Sequence, residues 1–193
     1  MGMEMVSISS QWLAILLSAV VVWIASALVW MALPHHKKDY KQLPDEDAAI
    51  NTLRPQNLKP GLYNIPHCKS WDEAKKPEIV EKFNKGPIGF LTVLPNGMPN
   101  MAKSMVLSFA FYLVVSVVVA YVVSRTVHPG ADYLRVFRIA GVVAWLAYGM
   151  SAVQDAIWFG RPWSQIFKFQ FDALFYALLT AGVFGWQWVR LTG

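Results

Sequence analysis

Two histidines and two aspartates stand beside or within long apolar stretches of this 193-residue chain. His35 and His36 directly follow the first apolar block, and Asp155 and Asp172 lie in the last two blocks. An unpaired charge in hydrocarbon is costly, so ionisable groups within membrane spans usually pair or line a wet cavity. These four residues are therefore the first candidates for chemistry.

The two aspartates flank the short loop Gly160-Arg161-Pro162. If the flanking helices are antiparallel, both carboxylates lie within about one helical turn of the same depth. We expect Asp172 to pair with Lys168 or Arg161. We expect Asp155 to accept a hydrogen bond from a tyrosine, serine or tryptophan, which would fix the register of the hairpin. The predicted intramembrane polar cluster comprises Asp155, Asp172, Lys168, Arg161, Tyr148, Ser151 and Tyr176.

Two alternatives stay open for this cluster. The first is a small polar cavity that opens to the cytoplasm and holds a proton, a cation or a lipid headgroup. The second is that the predicted end of one span is incorrect, so that one aspartate lies among the lipid headgroups. Beside the polar residues of the fourth block runs a stripe of small side chains at spacing four, which lets helix backbones approach closely in lipid. This helix-packing stripe comprises Ala173, Ala177, Ala181 and Gly185.

The segment PHHKKDY, residues 34–40, could supply a histidine pair and Asp39 to a metal ion. Such a run is also typical of a basic patch that faces anionic lipid, with Lys37 and Lys38 as contacts. His67 and Cys68 could join the histidine pair, but the spacing matches no closed metal site. We therefore predict no metal site, and the candidates for one are His35, His36, His67 and Cys68.

Arg135 and Arg138 lie one turn apart near the start of the third apolar block. They could contact lipid phosphate or an acidic group of a partner. The alternative is a local pair between Asp132 and Arg135.

Composition places the chain in a membrane and excludes several cofactors. Hydrophobic residues make up 55% of it, whereas soluble domains have about 45–50%. The net charge of +5 does not indicate nucleic-acid binding, because most lysines lie in one polar segment beside a span. One cysteine rules out a c-type haem motif and argues against an iron–sulfur cluster, and spans without histidine argue against bis-histidine b-haem between helices. Other cofactors stay unknown, and no nucleotide-binding or hydrolase motif is present.

The apolar blocks are each about as long as a membrane-spanning helix. They predict an all-α integral membrane protein with four transmembrane helices. The first domain, 1–33, contains the first helix, for which a signal peptide is the alternative. The second, 34–103, is a proline-rich polar segment with short helices and an apolar interfacial or re-entrant element at 88–99, for which a hairpin strand is the alternative. The third, 104–193, contains helices at about 104–124, 133–159 and 165–189.

Flanking charges predict the orientation. Lysines are concentrated on the side of residues 34–103, so we expect that segment in the cytoplasm and both termini outside.

Four stretches carry a resemblance. These are ALPHHKKDY, GPIGFLTVLPNG, HPGADYLRVFRIAG and IWFGRPWS followed by FDALFYALLTAGVFGW. They resemble a group of small bacterial inner-membrane proteins of unassigned function. The resemblance implies a multi-pass protein with four helices in a bacterial inner membrane, and it implies no activity or catalytic residues.

Three functions remain open. The first is a non-catalytic membrane subunit or accessory protein that contacts the lipid bilayer and docks to other membrane proteins or to its own copies. The second is a small oligomeric transporter or ion- or proton-conducting protein that uses Asp155 and Asp172. The third is an enzyme that modifies lipid or quinone, with His35, His36 and the two aspartates as acid–base groups. We expect an accessory protein rather than an enzyme, because no recognisable catalytic set is present.

Overall fold

The computed structural model describes residues 6–192. Four stretches of helix are long and apolar enough to cross a membrane, at Ser9–Met31, Met101–Thr126, Tyr133–Phe159 and Trp163–Thr192. The prediction of four such helices is confirmed. Their number and length indicate a multi-pass membrane protein.

In chain order the helices and strands are α1 (Trp12–Met31), α2 (Glu46–Leu53), β1 (Gly61–Ile65), α3 (Trp71–Ala74), α4 (Pro77–Lys85), β2 (Gly89–Val93), α5 (Met101–Thr126), α6 (Tyr133–Gly149), α7 (Ser151–Phe159) and α8 (Trp163–Thr192). Short 3₁₀ turns precede α1, at Ser9–Gln11, and follow it, at Pro34–His36. The chain divides into two units. The spanning unit contains residues 6–39, 100–157 and 161–192, and the polar unit contains residues 40–99 and 158–160.

Small side chains let the helices of the spanning unit pack closely. The predicted stripe on α8 is buried and faces α6, where the Cβ of Ala181 lies 3.4 Å from a Cβ built on Gly141. A Cβ built on Gly185 would lie 2.8 Å from the ring of Tyr133, closer than real Cβ contacts allow. Polar contacts join α1 to its neighbours: Ser18 Oγ lies 2.9 Å from Ser116 Oγ, and Gln187 Oε1 accepts from the backbone amide of Ala14 at 2.7 Å.

The third predicted helix, 133–159, is interrupted at Met150, which separates α6 from α7. The Gln170 side chain of α8 donates a hydrogen bond to the Gly149 carbonyl at 2.7 Å. The backbone amide of Val153 donates instead to the carbonyl of Met150 at 3.2 Å. A side chain that enters the hydrogen-bond ladder is a recognised cause of a helix break.

The chain is mostly helical, consistent with the all-α prediction, and its polar unit also contains a two-stranded antiparallel sheet. β1 pairs with β2 in a register that places Gly61 opposite Val93 and Ile65 opposite Gly89. The predicted interfacial element at 88–99 is therefore in part a strand. The alternative of a hairpin strand was right that this segment contains a strand, but β2 pairs with β1, which precedes α3 and α4, rather than in a local hairpin.

Candidate metal centre at the end of the spans

The first turns of α8 carry three polar side chains on one face. Gln165, Lys168 and Asp172 follow the spacing i, i+3, i+7, which places them in one row along the helix. α8 has 30 residues and is therefore about 45 Å long, whereas the hydrocarbon of a bilayer is about 30 Å thick. The helix is long enough for these first turns to extend into the headgroup region.

The turn that follows α1 lies against this face of α8. Leu33 is extended and Pro34 begins the 3₁₀ turn, which presents His35 and His36 as adjacent side chains. The Lys168 ammonium donates to the backbone carbonyl of His35 at 2.5 Å. The Gln165 amide donates to the backbone carbonyl of Asp39, also at 2.5 Å. Two side chains of α8 thus hold the backbone of the turn in place.

Asp172 lies between the two imidazoles. Its Oδ1 is 3.2 Å from His35 Nε2, and its Oδ2 is 2.7 Å from His36 Nε2. The side chains of Asp172 and His36 are 6% and 4% exposed, whereas that of His35 is 31% exposed. The group is therefore buried on the side of His36 and reaches the protein surface on the side of His35.

Asp39 orients His36 from the opposite edge of the ring. His36 Nδ1 lies 2.6 Å from Asp39 Oδ2, and the Lys168 ammonium donates to Asp39 Oδ1. The bond from Lys168 is the largest cause that holds the pKa of the Asp39 carboxyl below its usual range; burial opposes this shift and the His36 bond adds to it. Asp39 is therefore a carboxylate at neutral pH and can accept a hydrogen bond from the Nδ1–H group of His36.

Aromatic rings fix the orientation of the buried imidazole. The Trp30 ring stacks on His36 with centroids 3.9 Å apart and an interplanar angle of 4°. Phe169 of α8 lies 5.6 Å from the same imidazole. With one ring face stacked on Trp30 and Nδ1 bonded to Asp39, the imidazole is held with its Nε2 toward Asp172.

The negative charges of the cluster must be balanced beside Asp172, either by protons on the imidazoles or by a metal ion. Asp39 and Asp172 carry two negative charges and Lys168 carries one positive charge, so with neutral imidazoles the net charge is −1. An ionised carboxylate can only accept hydrogen bonds. Both ring nitrogens of His36 face a carboxylate. Either each nitrogen carries a proton and donates a hydrogen bond to its carboxylate, or Nε2 and Asp172 bind the same metal ion. Buried charge without such a match is strongly unfavourable.

The arrangement fits a transition-metal ion. One ligand atom from each of His35, His36 and Asp172 lies within 4.8 Å of the other two. Ligands at about 2.0–2.2 Å from a tetrahedral ion are separated by about 3.3–3.6 Å. The 3.2 Å between Asp172 and His35 is close to this separation, and the 2.7 Å between Asp172 and His36 would have to widen when an ion binds. Two imidazoles and one carboxylate suit Zn²⁺, Fe²⁺ and related ions. A carboxylate behind a ligating histidine, the place that Asp39 takes, is the usual means of orienting such a ligand.

The other predicted cluster members lie elsewhere. Asp155 pairs with Arg161 at 3.3 Å, and their side chains are 43% and 36% exposed. Arg161 also lies over the Phe169 ring, 5.3 Å from its centroid. The expected pairing of Asp172 with Lys168 or Arg161 is thus wrong, and so is the neutral partner expected for Asp155. Two histidines nearby provide Asp172 with closer partners, and Asp39 competes for Lys168.

Tyr148 and Tyr176 pack one turn deeper in the spanning unit. Their rings are 6.3 Å apart, and each also contacts the ring of Tyr112. Tyr148 Oη lies 3.2 Å from Thr180 Oγ1. Ser151, the last predicted member, is exposed.

The remaining candidates do not join the metal group. His67 and Cys68 belong to the polar unit, and the group found within residues 6–192 contains neither. Lys37 and Lys38 are exposed beside His36. Arg135 and Arg138 are exposed on α6, where Asp132 caps the helix by accepting from the backbone amide of Arg135 at 2.9 Å.

Sequence reasoning missed Trp30 and Gln165, and it named Asp39 as a ligand rather than as the residue that orients His36. A signal was present. Trp30 and His36 bracket the end of α1, and Gln165 extends the row of Lys168 and Asp172 by one turn.

Comparisons with protein-family models, curated proteins and solved structures find no match to this chain.

Proposed function

We propose that this membrane protein binds one divalent transition-metal ion through His35, His36 and Asp172, in a centre of the catalytic type. The observation that supports it is the position of Asp172, whose two oxygens each face the Nε2 of a different histidine. Three protein ligands leave at least one coordination position for water or substrate, as catalytic zinc sites do.

The location of the centre favours chemistry on an amphipathic molecule. Its histidines directly follow an apolar helix that could span a membrane, and Asp172 lies in the first third of another. A bound metal ion would supply Lewis acidity or an activated water at that level. Asp39 would orient His36 through its hydrogen bond with Nδ1, and Lys168 would orient Asp39 by donating a hydrogen bond to it. The proposal thus takes up the enzyme hypothesis among the three functions.

Cobalt loading tests this proposal. The protein is purified through a tag without histidine, stripped with a chelator and titrated with Co²⁺ in a neutral detergent. We expect a visible d–d spectrum that saturates at one ion per chain and is lost in His36→Ala. His67→Ala is the matched control and keeps the spectrum. A chain that binds no Co²⁺, or binds it equally well without His36, would show that protons alone occupy the cluster.

We further propose that the membrane is a bacterial inner membrane, with residues 34–103 and the metal centre on the cytoplasmic side. The lysine-rich flank of that segment supports this orientation.

The other two hypotheses stay predictions. The stripe of small residues on α8 is buried against α6, so it no longer argues for docking to another protein. Asp155 and Asp172 have different partners, which weakens the idea of a conduction path that uses both.

A further inference from the structure

We propose that the metal centre takes a phosphate group as its external ligand; this inference rests on the proposed metal site. The external ligand must enter where the centre reaches the protein surface. Of the two histidines, His35 is the one with a substantially exposed side chain, at 31% against 4% for His36. An entering molecule therefore approaches along the His35 edge of the cluster.

The charge at this edge favours an anion. With neutral imidazoles, a divalent ion would change the formal net charge of the cluster formed by Asp39, Asp172 and Lys168 from −1 to +1. Lys37 and Lys38 follow His36 directly in the chain and are both exposed. These two ammonium groups add positive charge to the turn that carries His35 and His36, and clustered positive charge attracts anions.

Phosphate is the anion that fits this position best. It is a hard oxygen ligand that can bind a metal ion and lysine ammonium groups together. It is also the charged group that membrane lipids present at the level where apolar helices end, and juxtamembrane lysines attract it. The two sources of this ligand, a lipid headgroup and free phosphate, offer the same group to the metal ion.

Titration of the Co²⁺-loaded protein tests the inference. Inorganic phosphate and a short-chain phosphatidic acid are added in separate titrations, and short-chain phosphatidylcholine serves as a third probe. We expect a saturable change in the d–d spectrum with the first two probes, while gel filtration shows that the ion stays bound. Saturation at a lower concentration of phosphatidic acid identifies a lipid headgroup as the ligand. Equal concentrations identify free phosphate.

The lysine pair provides a matched control. Lys37→Gln with Lys38→Gln should weaken phosphate binding by about tenfold and leave Co²⁺ binding unchanged. Lys75→Gln with Lys76→Gln removes the same charge from another adjacent, exposed pair, in the polar unit, and should change neither.

The results separate the two proposals. A normal Co²⁺ spectrum that neither phosphate probe alters would overturn the phosphate inference and leave the metal site standing. A phosphate response that survives loss of Lys37 and Lys38, or one that phosphatidylcholine reproduces at the same concentration, would also overturn it. Absence of the Co²⁺ spectrum would remove both proposals.

Discussion

Asp172 and His36 approach to 2.7 Å although 136 residues separate them in the chain. The contact joins the turn after the first long helix to the start of the last one. Both side chains are almost fully buried, so the contact combines an unfavourable burial of charge with a favourable geometry. Removal of one partner from such a pair leaves a buried, unmatched polar group. The predictions below concern this contact, the groups that support it and the helices that position it.

Asp39→Asn should weaken metal binding without abolishing it. The asparagine amide no longer provides a charged acceptor for His36 Nδ1, and the Lys168 ammonium loses its carboxylate partner. Substitutions behind a ligating histidine typically cost about 10- to 100-fold in metal affinity. Competition with a chromophoric chelator measures this. Asp72→Asn, which changes an exposed carboxylate paired with Lys75, is the control, and an equal effect of both substitutions would contradict the role of Asp39.

Gly185→Ala should destabilise the packing of α6 on α8. The new methyl group would lie 2.8 Å from the Tyr133 ring, so the ring or the helix must move. Overpacking of this kind typically costs about 1–3 kcal/mol, more than the gain of about 1 kcal/mol from replacing glycine in a helix. Thermal unfolding in detergent should show a lower midpoint.

Gly182→Ala is the control for that substitution. Its Cβ would meet only the Tyr133 hydroxyl, at an ordinary 3.6 Å. We expect an unchanged or slightly higher midpoint. Equal destabilisation by both alanines would show that the close approach at Gly185 does not limit stability.

Gln170→Ala should destabilise the junction of α6 and α7. The Gln170 amide is the donor that satisfies the Gly149 carbonyl, and Gly149 is buried. An unsatisfied buried carbonyl costs about 1–3 kcal/mol. The measurement is again the unfolding midpoint in detergent, and Gln154→Ala, an exposed position on α7, serves for comparison. A midpoint that Gln170→Ala leaves unaltered would mean that another group satisfies this carbonyl.

The orientation is open to chemical labelling because Cys68 is the one cysteine of the chain. In intact bacterial spheroplasts an impermeant maleimide should leave Cys68 unlabelled, and it should react after permeabilisation. A Cys68→Ser chain that carries Ser7→Cys, before the first span, should react in both. Labelling of Cys68 in intact spheroplasts would reverse the proposed orientation.

Apolar block length was sufficient to predict the four long helices, because a membrane demands about 20 apolar residues per crossing. The break at Met150 could not be predicted in this way. It depends on a hydrogen bond from Gln170, which lies on another helix. The sequence around Met150 gives no indication of that donor. The partner of the strand at 89–93 could not be predicted for a similar reason, because it lies more than twenty residues earlier in the chain.

The candidate site was partly visible in the sequence. The histidine pair after the first span and the polar cluster that contains Lys168 and Asp172 were both identified. Their mutual pairing was not predicted, because helix spacing orders residues only within one element. Which side chain of α8 meets which histidine depends on the packing of α1 against α8.

The metal content of the protein tests the central claim most directly. The wild type, Asp172→Asn and Asp155→Asn are purified without a histidine tag, dialysed against Zn²⁺ and analysed by mass spectrometry of the elements. The two substitutions make the same chemical change, one in the buried cluster and one in the exposed pair with Arg161. We predict one Zn²⁺ per chain in the wild type and in Asp155→Asn, and a loss of zinc in Asp172→Asn. Equal zinc content in all three proteins, or none in the wild type, would contradict the metal centre.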